Sequence, residues 1–358
     1  MAYTTINKPS DYFNTVTYTG NGSTQSITGV GFKPDWVWAK TRVAVSSHKL
    51  YDSVRGVSKA LYSNGTTAEV NDSPYGVTSF NSDGFSVNDN SNGDYGVNGG
   101  SGGTYSGTPP NYVAWNWLAS NTTASNTDGS ITSTVSASTT SGFSIVSYTG
   151  GGSFGDTVGH GLGAVPAMII IKTTNAISSW YTWQKAMGAT DNQFMDFSTA
   201  ALQTSGATIF DVSAMSSTTF TLGTNTDVNG SGSPKIAYCF AEKKGFSKFG
   251  KYTGNGSTDG TFVYTGFKPA FVLVKASSAV GTWHVQDSAR NPSNIVNKSI
   301  YPNSSSVEET YDVMDFTSNG FKIRTTNTGI NANGQTNIYM AFAENPLVTS
   351  TKLPATAR

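Results

Sequence analysis

The residues that could perform catalysis are few in this sequence. Nucleophilic catalysis needs a nucleophile, a base and an orienting group, and the histidines of the chain are His48, His160 and His284. His160 lies in a Gly-His-Gly segment, and no G-x-S-x-G nucleophile elbow is present. The pattern favours an ordinary loop histidine over an esterase-like site at His160, and we predict that the protein is not an enzyme.

Two aspartates are each followed by an arginine three positions later: Asp52 by Arg55, and Asp287 by Arg290. Paired carboxylates can hydrolyse glycosidic bonds. However, the same Asp–Arg spacing at two places favours a structural contact between the two side chains over a catalytic pair. The alternative is a surface site in which Arg55 or Arg290 meets a ligand.

Aromatic residues are the best candidates for binding. Trp180 and Trp283 each lie eight residues after a lysine that ends an apolar run, and His48 takes the same place after a third run. Exposed rings at this position could stack on the faces of sugars. The alternative is that the rings fill the hydrophobic core.

Metal and cofactor sites have little support in the sequence. Residues 88–93 loosely resemble a calcium-binding loop, but the leading Asp is missing and Gly99 stands where a bidentate Glu is required. A weak calcium site would use Asp89 and Asp94, and the alternative is a Gly/Asn-rich surface loop. Cys239 is the only cysteine, which excludes an intrachain disulfide and a Cys-based zinc cluster. We interpret it as a small buried residue, and we predict no cofactor and no metal.

These candidates belong to an internal repeat. The string YTGNGS begins at Tyr18 and recurs at Tyr252, with a degenerate copy, YTGGGS, at Tyr148. Each copy precedes an apolar run headed by proline. A lysine follows that proline by six residues in every run, at Lys40, Lys172 and Lys275. The matching spacing predicts three copies of one unit.

The repeat divides the chain into segments. We predict an N-terminal arm (1–10), a first unit (11–120), a linker (121–140), a second unit (141–244), a third unit (245–347) and a C-terminal tail (348–358). Because the linker is almost all Ser, Thr, Asn, Ala and Gly, we expect it to be extended or flexible. Contacts across it should be few, the first unit should be functionally separate, and proteases should cleave between Asn121 and Ser141.

The patterning indicates strands. Glycine and the β-branched and aromatic residues are abundant, and long amphipathic stretches are scarce. In the first apolar run, Trp36 and Trp38 alternate with Val37 and Ala39, so both faces of a strand would be apolar and covered. We predict an all-β fold of three tandem β-sandwich or jelly-roll-like units, with Trp36 and Trp38 as structural core residues.

Charge and hydropathy exclude several classes of protein. The chain has 358 residues, with 22 Lys and Arg against 22 Asp and Glu, so it has no bulk attraction for nucleic acid. Its longest apolar stretch, residues 164–171, is too short to cross a membrane. The first ten residues lack a signal-peptide pattern. We therefore expect no nucleic-acid partner, no membrane insertion, and synthesis in a reducing bacterial cytoplasm.

Four strings, in the order YTGNGSTQSITGVGFKPDWVWAK, DSVRG, FNSDGF and YVAWNW, resemble repeated domains in virion proteins of marine tailed phages, including cyanophages and pelagiphages. The opening MAYTTINKPSDYFNT is similar to the start of such proteins. The resemblance covers almost all of residues 1–347, and it is strongest in the first unit. It implies a tail-fibre-like or other virion structural component and brings no catalytic residue with it.

Three hypotheses about function follow. The leading one is a non-enzymatic virion protein, a surface-exposed fibre or appendage that meets a glycan on the host surface. The alternative is a capsid decoration or head-fibre protein that braces the shell, and the third is a polysaccharide depolymerase. The expected partners are other virion proteins and further copies of the chain. Because phage fibres are commonly trimers, the resemblance favours a homotrimer. We also expect a virion protein to order the arm 1–10, which has no obvious core to join.

Overall fold

The fold of the chain is all-β, as predicted. A computed structural model describes residues 4–89, 96–100, 109–188 and 190–346. The α-helices in these ranges are single turns, Thr226–Asn229 (α1) and Thr328–Asn331 (α2). Single 3₁₀ turns lie at Pro9–Asp11, Lys185–Met187 and Val212–Ala214. Among the described residues, no helix is long and apolar enough to cross a membrane.

The first unit has two antiparallel sheets. Its strands are Phe13–Thr19 (β1), Gln25–Ile27 (β2), Trp36–Thr41 (β3), Lys49–Asp52 (β4), Gly56–Leu61 (β5), Val70–Asn71 (β6), Gly76–Asn81 (β7), Gly84–Asn88 (β8) and Asn111–Trp117 (β9). The large sheet has the order β1-β9-β3-β4-β5-β6, and the small sheet has the order β2-β8-β7.

The second unit has one large sheet and two small ones. Its strands are Ala124–Asn126 (β10), Ser133–Ser138 (β11), Phe143–Thr149 (β12), Thr157–Gly159 (β13), Met168–Thr173 (β14), Tyr181–Gln184 (β15), Gln193–Phe194 (β16), Gln203–Thr204 (β17), Thr219–Thr221 (β18) and Pro234–Phe240 (β19). The large sheet has the order β10-β11-β12-β19-β14-β15, and the pairs β13-β18 and β16-β17 form the small sheets.

The third unit again has two sheets. Its strands are Ser247–Thr253 (β20), Phe262–Tyr264 (β21), Phe267–Ala276 (β22), His284–Asp287 (β23), Val296–Ser299 (β24), Glu309–Thr317 (β25), Gly320–Ile323 (β26) and Thr336–Pro346 (β27). The large sheet has the order β20-β27-β22-β23, and the small sheet has the order β21-β26-β25-β24.

One four-strand arrangement occurs in all three large sheets. The orders β1-β9-β3-β4, β12-β19-β14-β15 and β20-β27-β22-β23 place the strand of each proline-headed run beside the closing strand of its unit. One face of each large sheet packs on the small strands of its own unit. In the first unit, Val37 and Ala39 pack in this way with Phe85 and Val87. This sandwich-like layering buries one of the two apolar faces that the sequence predicts for each run.

The other faces of the three large sheets meet in one central core. Trp36, Trp38, Trp115 and Trp117 of the first unit belong to it, together with apolar residues of the second and third units. The Trp36 ring stacks on Tyr238 with centroids 4.3 Å apart. Trp36 and Trp38 are fully buried, which confirms their predicted place in the core. The units are therefore joined by a shared core, and the expectation of few contacts between the first unit and the other two is wrong.

The predicted linker is also part of the fold. Residues 124–126 and 133–138 form β10 and β11, which extend the large sheet of the second unit beyond β12. Val135, Ser133 and Ser136 are buried there. Much of the segment 121–140 is extended, as predicted, but the expectation that it makes few contacts is wrong, because β10 and β11 pair within the sheet and bury some of their side chains.

The N-terminal arm joins the central core as well. Ile6 is 2% exposed and belongs to that core, and Thr4 and Pro9 are also buried. The ring of Tyr12 lies 6.0 Å from that of Phe246 in the third unit. The expectation that residues 1–10 need a virion protein for order is therefore wrong for the described part of the arm, which begins at Thr4.

Candidate functional site

The position eight residues after each lysine lies at a boundary between units. The Trp180 indole Nε1 donates to the Tyr62 carbonyl at 2.9 Å, and the Trp283 Nε1 donates to the Asp196 carbonyl at 2.8 Å. His48 Nε2 lies 3.0 Å from the Tyr301 carbonyl. The second unit thus contacts the first, the third contacts the second, and the first contacts the third. These bonds link the three units in a closed cycle around the central core.

His48, Trp180 and Trp283 are at most 2% exposed. The prediction of exposed rings that stack on sugars is wrong, and the alternative that they fill the core is confirmed. His48 Nδ1 accepts a hydrogen bond from Trp38 Nε1 at 2.9 Å, so its Nε2 carries the proton given to Tyr301. Burial, with a contribution from the charge of Lys40, lowers the pKa of His48 well below its ordinary value. The imidazole is neutral and works as a spacer between units.

The Asp52–Arg55 pair lies at the boundary between the first and second units. The Arg55 Nε donates to Asp52 Oδ2 at 2.5 Å, and its Nη1 donates to Glu69 at 3.1 Å. The Tyr238 hydroxyl of the second unit donates to the same Asp52 oxygen at 2.7 Å. The Arg55 side chain is 5% exposed. The structural interpretation is confirmed, and no ligand can approach this arginine without opening the boundary.

The Asp287–Arg290 pair lies at the boundary between the third and first units. The Arg290 side chain is fully buried and donates to Asp287 at 2.6 Å and to Glu308 at 3.1 Å. The Trp115 indole of the first unit donates to Asp287 Oδ2 at 2.9 Å. Arg42 adds two hydrogen bonds to Glu308, at 2.8 and 2.9 Å. Arg290, like Arg55, is therefore a structural residue, and the surface-site alternative is wrong for both.

The three lysines of the repeat are buried beside these boundaries. The Lys172 amine donates to the Thr66 carbonyl of the first unit at 3.0 Å, and the Lys275 amine donates to the Ala200 carbonyl of the second unit at 2.7 Å. The Lys40 amine donates to the Thr41 and Ala44 carbonyls. Burial lowers the pKa of each amine to about 8. Their identical spacing was visible in the sequence, but their burial was not.

A cavity of about 350 Å³ opens where the three units meet. Phe197 lies beneath it, with ring centroids 5.7 Å from Trp38, 5.7 Å from Trp180 and 5.1 Å from Trp283. The rim comes from all three units and is largely uncharged, including Ser63, Asn64, Ser198, Thr199 and Asn303. No sequence pattern identified this site, because its lining converges only when the cycle closes.

Three exposed aliphatic side chains lie in loops that hydrogen-bond to a neighbouring unit, two of these loops to the cavity-lining residues Thr66 and Thr199. Val45, Ile177 and Val280 each follow the repeat lysine by five residues, and they are 69%, 80% and 72% exposed. The next residue in each loop donates its backbone N–H to the neighbouring unit. These bonds are Ser46 to Ser305 O, Ser178 to Thr66 O and Gly281 to Thr199 O, at 3.0, 2.9 and 2.8 Å. We call the cavity and these three loop tips the axial end.

The remaining sequence candidates do not form a reactive site in the described part of the chain. His160 has both ring nitrogens engaged, with the Leu162 N–H and the Ser216 carbonyl. Cys239 is fully buried, and burial raises the pKa of its thiol, which confirms its structural role. Asp94 lies outside the described residues. Among the residues that the structure does describe, no group of three His, Cys, Asp or Glu side chains could hold a metal ion.

One cleft in the third unit brings titratable groups together. It has a volume of about 360 Å³, and His284, Tyr301 and Glu309 line it. The Tyr301 hydroxyl donates to Glu309 at 2.5 Å, and the Tyr311 hydroxyl lies 3.1 Å from His284 Nδ1. Burial, with a contribution from the charge of Lys275, lowers the pKa of His284 to about 3. The network is a chain of hydrogen bonds around a neutral imidazole, and Ser299 also hydrogen-bonds the Tyr311 hydroxyl.

Comparisons with known proteins place the chain in a family. No curated protein matches the sequence, and no solved structure matches the fold. One family model spans residues 8–346 and therefore includes all three units and the cycle that they close. The chain belongs to the family described as Domain of unknown function (DUF7483).

Proposed function

We propose that this chain is a non-enzymatic structural protein of a phage virion, displayed on the particle as a fibre or appendage that meets the host surface. The resemblance of the strings YTGNGSTQSITGVGFKPDWVWAK, DSVRG, FNSDGF and YVAWNW to marine phage virion domains supports the proposal. The observation that carries it is the axial end, where each of the three units presents an exposed aliphatic side chain at the same repeat position, Val45, Ile177 or Val280. Such an end is suited to attachment to another component of the particle.

Folding does not explain why the three loop tips carry aliphatic side chains, because these side chains are exposed. Single exposed aliphatic residues are common on protein surfaces, but here they recur at one position in three loops that otherwise share only the preceding alanine at all three places. The loops read RVAVSS, TNAISS and SSAVGT over 42–47, 174–179 and 277–282. A partner that meets three units in the same way has a threefold axis of its own. We infer that the axial end sits on a threefold-symmetric component of the virion.

Particle assembly tests this attachment. The triple variant V45S/I177S/V280S removes only exposed aliphatic groups, so the free protein should keep its melting temperature. Its copy number per particle, measured by quantitative mass spectrometry of purified virions, should fall at least about tenfold. The triple variant V57S/V165S/V307S replaces valines that are 43%, 52% and 38% exposed elsewhere and is the matched control. Normal incorporation of the first variant would refute attachment through the axial end, and absence of the wild-type chain from virions would refute the whole proposal.

A second candidate, decoration of the capsid, is favoured by the shared central core. Three units closed around one core form a stiff body of the kind that can brace a shell. A cryo-EM map of the particle separates the two roles: density on the head supports decoration, and density at the tail supports a fibre or appendage. The depolymerase alternative has no support from Asp52 or Asp287, which are buried in ion pairs. Release of reducing sugar from host envelope material would revive it.

A further inference from the structure

The small sheet of the third unit carries two exposed aromatic rings on its outer face. β21 buries Val263, while Phe262 and Tyr264 on either side of it are 46% and 56% exposed. Side chains two residues apart on a strand point to the same face. With a rise of about 3.3 Å per residue, the two side chains leave the strand about 7 Å apart. Neither ring contributes to the cores that hold the unit together.

The other two units demonstrate that the sheet does not require aromatic residues here. The inward residues Ile27, Val158 and Val263 pair with Phe85, Phe220 and Phe321 in the three units. This register makes Phe262 equivalent to Ser26 and Thr157, and Tyr264 equivalent to Thr28 and Gly159. Small residues therefore occupy the equivalent strand positions in the first and second units. Because the strand forms there without aromatic side chains, the aromatic pair of the third unit has a role other than folding.

The surroundings of the pair are open and electrically balanced. Gly320 lies opposite Tyr264, and a Cβ there would stand 2.1 Å from the Val263 carbonyl, so this position stays without a side chain. Lys322, opposite Phe262, is paired with Asp259 at 2.5 Å. On the same face, Arg324 is paired with Asp315 at 3.4 Å. The aromatic pair therefore has hydrogen-bonding groups at its margin and no net charge.

We propose that Phe262 and Tyr264 form a binding platform for a neutral carbohydrate chain. The C–H face of a pyranose ring is apolar and its edge carries hydroxyls, which matches two aromatic faces with polar groups beside them. The compensated ion pairs favour a neutral ligand over an anionic or cationic one. Two rings also offer far less area than the roughly 800 Å² per partner that a stable protein interface buries. This platform is separate from the axial end, and its test does not depend on the attachment proposed above.

Affinity electrophoresis of the full-length protein tests the platform. Native gels would contain dextran, laminarin, xyloglucan or galactomannan as neutral polysaccharides, and alginate as an acidic one. We expect retardation by at least one neutral polysaccharide. The variant F262S/Y264T carries the residues that the first unit has at these positions, and its apparent dissociation constant should rise at least about tenfold. The variant F154S replaces a phenylalanine that is 56% exposed in the second unit and should bind like the wild type.

Three results would overturn the platform. They are a wild-type chain that no neutral polysaccharide retards, an F262S/Y264T variant retarded as strongly as the wild type, and retardation by alginate alone, which indicates binding through charge. Melting temperatures of both variants report whether they fold. Should the double variant be unstable, Tyr264→Thr alone should still weaken binding, because it removes the more exposed ring, and unchanged binding by a folded Y264T protein would count equally against the platform.

Discussion

The arginine at each buried ion cluster compensates charges that water cannot reach. Arg290 is fully buried against Asp287 and Glu308, so its removal leaves carboxylates inside the protein without their main partner. Breaking a buried pair in this way costs about 3–5 kcal/mol. We therefore expect Arg290→Met to lower the free energy of unfolding by about that amount, measured by urea denaturation. Arg324→Met is the control, because its partly exposed pair with Asp315 should contribute at most about 1 kcal/mol. Equal effects of the two changes would contradict this account.

Trp38 combines packing in the central core with one hydrogen bond. Its ring is fully buried, and its Nε1 fixes the neutral tautomer of His48. Trp38→Ala should lower the free energy of unfolding by about 3–5 kcal/mol through lost burial and a cavity. Urea denaturation measures the loss, and Phe154→Ala, at an exposed ring, should change little. A Trp38→Ala protein with unchanged melting that failed only to adsorb to the host would overturn the structural assignment.

At the scale of single residues, the sequence predicted which positions are equivalent better than where they lie. The place eight residues after the lysine was identified correctly, but its partners are far away in the chain: Tyr62 lies 118 residues from Trp180. An aromatic residue at a repeat position gives the same sequence pattern whether its side chain faces solvent or a neighbouring unit. Only the closure of the three units decides between these surroundings. The Asp52–Arg55 contact was predictable because the two residues are only three positions apart in the sequence.

At the scale of elements, β11 is the segment whose structure differs most from what its composition predicts. Ser133–Ser138 pairs with β12 over five residues, and Val135 enters the core of the second unit. Backbone amides that are hydrogen-bonded within a sheet exchange their hydrogens with solvent slowly. We expect hydrogen exchange at residues 134–138 to be protected like that of β12, and proteases to spare this stretch. Rapid exchange there, or cleavage within 133–138 before any other site, would show that the strand does not form in solution.

The strands of the proline-headed runs were predicted correctly, and the reason is physical. Both faces of β3, β14 and β22 are apolar because each lies between a sandwich core and the central core. Such a run is distinctive in any sequence. β11 has no such signal, since serine and threonine fit a strand edge and a loop equally well. The sequence pattern therefore predicts the most buried strands reliably and the polar strands poorly.

At the scale of the molecule, the shared core makes the units interdependent. A fragment of residues 1–120 would expose Trp36, Trp38, Trp115 and Trp117, which the other two units cover in the whole chain. We expect this fragment to aggregate or to unfold without cooperativity, as judged by sedimentation and near-ultraviolet circular dichroism. The full chain, treated identically, should unfold in one transition. A monomeric fragment with a sharp transition would mean that the central core joins units that are already stable.

The buried lysines give the whole molecule an unusual dependence on pH. Lys40, Lys172 and Lys275 have pKa values lowered from 10.5 to about 8 by burial, and Lys235 behaves in the same way. Nearby carboxylates oppose the effect in each case: Glu308 for Lys40, Asp227 for Lys172 and Lys235, and Asp196 for Lys275. Below pH 8 the amines are charged in both states, and the cost of burying those charges is fully present.

Between pH 8 and 10.5 the unfolded chain holds more protons on these lysines than the folded chain does. The free energy of unfolding must therefore rise with pH in that window. Buried tyrosines reverse the trend above about pH 10, because burial raises the pKa of Tyr148 and Tyr252 well above 10 and only the unfolded chain then loses those protons. We expect the melting temperature to increase from pH 7.5, to be highest between about pH 9 and 10, and to fall beyond. The variant K40M/K172M/K275M should lose most of the rise, whereas a wild-type melting temperature that is flat or falling from pH 8 to 9.5 would mean that the amines stay charged in the folded protein.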